Sequence, residues 1–108
     1  MMQHSEATQG ERIIVRVDAE IEDIIPIFFQ KLLEEIETEL DSLQQDNYET
    51  VQVWGHSLKG AGMGYGFDAI SEIGQSLEQA AKTTDPEEIR KLVNQLSAYL
   101  ERVDVVIE

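Results

Sequence analysis

The chain contains no cysteine. Disulfides, thiolate metal sites and a cysteine nucleophile are therefore excluded. Proline occurs twice and glycine seven times, too few turn formers for a chain of many short strands. Positive charge is scarce: eight Lys and Arg against 22 Asp and Glu leave a net charge of −14. That balance argues against nucleic acid and against anionic membrane surfaces as partners. No apolar run approaches the ~20 residues that span a bilayer, and the N-terminus lacks the apolar stretch of a signal peptide. A cytoplasmic protein is expected, without membrane or nucleic-acid partners.

What remains is one domain rich in Glu, Leu, Gln and Ile, with 108 residues to bury a single core. Residues 1–12 are polar and aperiodic and are expected to be a disordered tail. His4 lies there, with nothing around it that resembles a site. Residues 13–108 are expected to form the domain. Ile13 to Val17 and Val103 to Ile107 are short and rich in β-branched residues, so both read as extended chain that can pair as a small two-stranded patch.

Between them the apolar residues recur at helical spacing. Asp18 can cap a helix start, and Ile21, Ile25, Phe28, Phe29, Leu32, Ile36, Leu40 and Leu43 form a stripe to about Gln45. Pro26 interrupts it, kinking the chain or starting a new helix. Ile27 then falls on the far side of the stripe, either because the phase resets or as an exposed docking residue. Asn47 can cap a second helix over 48–62, ended by the glycines of 62–66. Phe67, Ile70, Ile73, Leu77, Ala80 and Ala81 mark a third helix. Asp85 followed by Pro86 and Glu88 is a capped start for the fourth, which carries Ile89, Leu92, Val93, Leu96 and Leu100. Short connections make consecutive helices antiparallel. The predicted fold is all-α: an antiparallel up-down four-helix bundle with a short extra N-terminal helical segment.

Residues 54–66, WGHSLKGAGMGYG, break the usual rules of a helix. A helix turns about 100° per residue, which puts Val51, Trp54, Leu58, Ala61 and Tyr65 on a buried stripe and His56 opposite it. Lys59, Gly60, Met63 and Gly64 share the face of His56. A glycine inside a helix costs about 1 kcal/mol relative to alanine, and such local conflict is expected at functional sites. Gly60, one turn from His56, leaves no side chain beside the imidazole, so another protein could approach the ring. Lys59 places a cation where it could hold an anion. His56 is expected to stand exposed, with no buried partner. A neutral imidazole is a competent nucleophile near neutral pH, since histidine titrates around 6.5. No second metal ligand accompanies His56, because position 60 is glycine; no metal site is expected.

His56, Leu58, Lys59, Gly60, Ala61, Gly62, Tyr65 and Gly66 match in register the motif of the histidine-containing phosphotransfer domains, a family the chain resembles. Gly62 and Tyr65 depart mildly from the commoner residues, and Gly64 is an additional glycine. The resemblance implies that His56 is the phospho-accepting nucleophile and that it exchanges phosphate with a receiver-domain aspartate. It also implies that the receiver supplies Mg²⁺, so that this chain needs no cofactor. Lys59 would steady the phosphoryl oxygens. Gly60, Met63 and Gly64, with Ile27 and Lys82, would form the docking surface. The implied partners are a response-regulator receiver domain and a hybrid sensor histidine kinase, met by a monomer. No ATP-binding motif is present, so autokinase activity is not expected. Two alternatives stay open: a docking module that regulates a receiver or kinase without carrying phosphate, and the phosphotransfer fragment of a hybrid or chemotaxis-type kinase.

Overall fold

The computed structural model describes residues 12–108. Strand β1 (Ile13–Val17) leads into four helices: α1 (Ile25–Gln44), α2 (Tyr48–Tyr65), α3 (Asp68–Lys82) and α4 (Pro86–Arg102). Strand β2 (Val103–Ile107) follows directly on α4. The fold is a helical bundle with a two-stranded sheet. The strands pair in parallel, with Ile13 opposite Val103 and Val17 opposite Ile107. Parallel neighbours need a long crossover, and here the four helices together supply it.

Of the tail expected over 1–12, residues 1–11, His4 among them, lie outside the described residues. Arg12 lies within them and clamps the sheet edge. Its guanidinium donates to both carboxylate oxygens of Asp104, at 3.0 and 3.2 Å, and to the carbonyls of Glu101 and Val103.

Each helix start follows from its local chemistry. Asp18 accepts a hydrogen bond from the Glu20 N–H, but it caps only a single 3-10 turn, Ala19–Ile21. Pro26 sits in the first turn of α1, where its missing N–H costs nothing; it begins a helix and does not kink one. Asn47 caps α2 through the Thr50 N–H, and Asp85 caps α4 through the Glu88 N–H. Helix α2 runs one turn past the expected end at residue 62. Gly66, with a φ of 88°, takes the left-handed conformation that closes it.

The core is lined by Phe28, Leu32, Val51, Leu58, Phe67 and Leu96, all buried, with Leu77 and Ile70 beside them. One expected core position is exchanged for its neighbour. Leu40 stands at the surface, while Glu39 is buried. Both follow Ile36 at helical spacing, by four residues and by three, so periodicity alone did not choose between them.

Helices α2 and α3 approach almost backbone to backbone. A Cβ placed on Gly55 would lie 2.6 Å from the Glu78 nitrogen, one on Gly62 2.5 Å from the Ser71 nitrogen, and one on Gly74 2.5 Å from the Lys59 nitrogen. Ser71 Oγ also donates to the Lys59 carbonyl at 3.0 Å. No helix among the described residues is long and apolar enough to cross a membrane.

Candidate functional site

His56 lies midway along α2, on the face away from Val51, Trp54 and Leu58. Its side chain is 73% exposed. Among the described residues the ring nevertheless has a partner. Nδ1 lies 3.4 Å from Oε2 of Glu78, a carboxylate on α3 that is itself largely buried. The expectation of an unaccompanied imidazole is corrected by this contact. Nδ1 is the ring nitrogen beside Glu78, and Nε2 is the one without a neighbouring charge among the described ion pairs.

The glycine contacts explain how Glu78 comes so close. Gly55, the residue before His56, and Gly74, one turn before Glu78, remove the side chains that would separate the two helices. The five glycines of the 54–66 stretch thus divide into different tasks. Gly55 and Gly62 serve the helix crossing and Gly66 ends the helix. Gly60 and Gly64 face open space, with nothing within 4 Å of where a Cβ would stand. Gly74 and Glu78 carried no sequence motif. A glycine on the buried face of α3 with a carboxylate four residues later is the signal that could have marked them.

Lys59 is half-buried and takes part in none of the ion pairs among the described residues. Its backbone is pinned by Ser71, so its side chain starts from a fixed point one turn from His56. Met63 is 66% exposed between Gly60 and Gly64, an apolar contact on otherwise bare backbone. His56, Lys59, Gly60, Met63 and Gly64 therefore share one surface.

Two further candidates sit elsewhere. Ile27 is 70% exposed on α1. Its neighbour Phe28 packs edge-on against Tyr65, with ring centroids 4.8 Å apart, while Ile27 itself faces solvent. Lys82 is exposed at the last turn of α3, one turn beyond Glu78; the side chain found beside His56 is Glu78. Among the described residues no group of three or more His, Asp and Glu could hold a metal ion.

This surface offers one nucleophilic nitrogen, a neighbouring cation and clearance for another protein. The family model of the Hpt domain matches residues 23–105, which takes in all four helices. The chain belongs to the Hpt domain family. Membership implies a part in phosphotransfer in two-component signalling, and Hpt domains interact with receiver domains and kinases. No curated protein and no solved structure matches the chain. Within this Hpt domain, β1 and the 3-10 turn lie outside the matched residues, so the Arg12 clamp is an addition to the matched portion.

Proposed function

We propose that this Hpt domain is a phosphorelay intermediate that carries a phosphoryl group on His56. One observation supports it above the others: an imidazole 73% exposed, on a face where Gly60 and Gly64 leave only open space. Nε2 of neutral His56 attacks the phosphorus of a receiver's aspartyl phosphate. The N–P bond forms as the P–O bond to the aspartate breaks, and the aspartate leaves as a carboxylate. The imidazole ring gains positive charge in that step. Glu78, beside Nδ1, stabilises it electrostatically and favours the proton on Nδ1. Lys59 offsets the phosphoryl oxygens.

Catalysis of phosphoryl transfer rests on positioning and charge stabilisation. In this reading the receiver supplies Mg²⁺ and its carboxylates, and this chain needs no cofactor. The reverse step delivers the phosphoryl group to a response regulator. Gly60, Met63 and Gly64 meet the receiver, with Ile27 and Lys82 at its margins. The same reading takes the bundle as antiparallel and up-down, supported by the reversed order of the Gly55–Glu78 and Gly62–Ser71 contacts. It works as a cytoplasmic monomer, charged from a hybrid kinase.

The test is incubation with a phosphorylated receiver domain and Mg²⁺, followed by acid-lability assay and mass mapping. Acid-labile, base-stable phosphate on His56 is expected. Retained receiver binding with no phosphate on His56 would replace this reading by that of a docking module.

A further inference from the structure

Beside the His56 face, between α1 and α2, lies a groove of about 550 Å³. Its lining includes three carboxylates, Glu35, Glu39 and Glu49, and no basic side chain. Glu39 carries the decisive feature. It is only 9% exposed, and its Oε1 has no hydrogen-bond partner among the described residues. Buried polar atoms are nearly always paired, because desolvation without a partner is costly. Glu39 lines the groove, and its buried oxygen can be satisfied by a donor entering there once the carboxylate turns toward it.

Glu35 narrows the chemistry of that donor. Its Oε1 accepts from the Trp54 indole N–H at 2.8 Å. Among the described residues its Oε2 has Lys31, at 3.8 Å and largely exposed, a pair of little strength. Burial and, second, the charge of Glu35 hold the Glu39 carboxyl above the usual carboxylate range, so the two acids lie close enough to repel. One cation placed between them relieves both penalties. A guanidinium, planar with five donors in a fork, can serve two carboxylates at once; a lysine ammonium is a point charge and does so less well.

The position of the groove indicates where the cation comes from. Ser57, the residue after His56, and Val53, three before it and 64% exposed, form its rim. A protein seated over His56 covers the mouth. We propose that the groove receives an arginine side chain of the receiver domain docked at His56, its guanidinium bridging Glu39 and Glu35. The proposal rests on the phosphorelay reading for the identity of the partner, while the groove's preference for a guanidinium stands on its own residues.

Trp54 is the single tryptophan, so its indole N–H resonance reports directly on the groove. The probe is N-acetyl-arginine amide, with the neutral isostere N-acetyl-citrulline amide as control, titrated into the full chain. Arginine amide is expected to shift the Trp54 indole N–H and the Thr50 and Val53 amides saturably, and citrulline amide to leave them in place. Glu39→Gln and the double variant Glu35→Gln/Glu39→Gln, which keep side-chain size, should lose the response. An equal response to citrulline amide, or shifts spread evenly over the acidic surface, would overturn the proposal.

A second arm uses a phosphorylated receiver that loads His56. The double variant should raise KM about tenfold or more, the scale of losing a charge pair at an interface, with kcat unchanged. An unchanged KM removes the receiver as the source of the arginine. If no receiver loads His56, the phosphorelay reading fails, and the arginine titration still decides the groove.

Discussion

His56 and Glu78 belong to different helices, yet Nδ1 of one lies 3.4 Å from Oε2 of the other. The contact exists because Gly55 and Gly74 let α2 and α3 meet at backbone distance. With His56 mostly exposed, solvent screens the pair, and exposed pairs contribute about 0.2–1 kcal/mol. Glu78→Ala should therefore slow phosphate acceptance by no more than about fivefold on that scale. The sharper readout is the His56 ring: ¹⁵N shifts should move away from the Nδ1–H tautomer in the variant. A tautomer balance identical to that of the unmodified chain would deny Glu78 a positioning role.

The glycines make opposite predictions at equal size of change. Gly74→Ala puts a Cβ 2.5 Å from the Lys59 nitrogen and 2.7 Å from the Gly55 oxygen, so the helices must part, at about 1–3 kcal/mol. For a domain of this size that lowers Tm by about 4–8 °C per kcal/mol. Gly60→Ala meets nothing and should stabilise α2 by up to about 1 kcal/mol. Gly60→Leu should also fold, but block docking by standing beside the imidazole. Thermal melts with a transfer assay separate the two kinds of glycine. A Gly60→Leu chain that transfers normally would remove the clearance role.

Lys59→Ala should leave Tm nearly unchanged and slow transfer about tenfold. Buried oxyanion donors are worth more, about 10²–10³, but this lysine is half-exposed. The measurement is single-turnover uptake from a phosphorylated receiver, paired with the decay rate of the phosphohistidine. A variant that loses stability alone would make Lys59 structural.

Glu39 gives the pH prediction. Burial first, and the nearby charge of Glu35 second, raise its folded-state pKa. The folded chain then binds that proton more tightly than the unfolded one, and stability is lost as pH rises from the ordinary glutamate range through the raised value. Glu39→Gln, which cannot ionise, should raise stability at neutral pH by about 1–3 kcal/mol, read as a higher Tm. The gain should shrink as pH falls into the ordinary range. Equal gains at both pH values would show that ionisation of Glu39 is not the cause.

Much of the helical architecture could be read in the chain itself. Asn47, Asp85 and Pro86 are placed where the physics of helix ends requires them, and the structure uses them so. The three-and-four spacing separated His56 from Trp54 and Leu58 without knowledge of any neighbour, because opposite faces of a helix are a property of one segment. The Gly62 end was misplaced by one turn, since glycine signals both termination and close contact, and only α3 distinguishes them.

The order of apolar residues and caps along this chain determined its helices, the exposed face bearing His56 and the absence of cysteine chemistry, because each depends on residues within a few turns of one another. Three features waited for the tertiary structure. Glu78 reaches His56, Glu39 turns inward in place of Leu40, and β1 pairs with β2 in parallel. Each joins residues on separate elements, and their meeting is set by how closely helices cross and where the bundle delivers the chain. No local period records that distance.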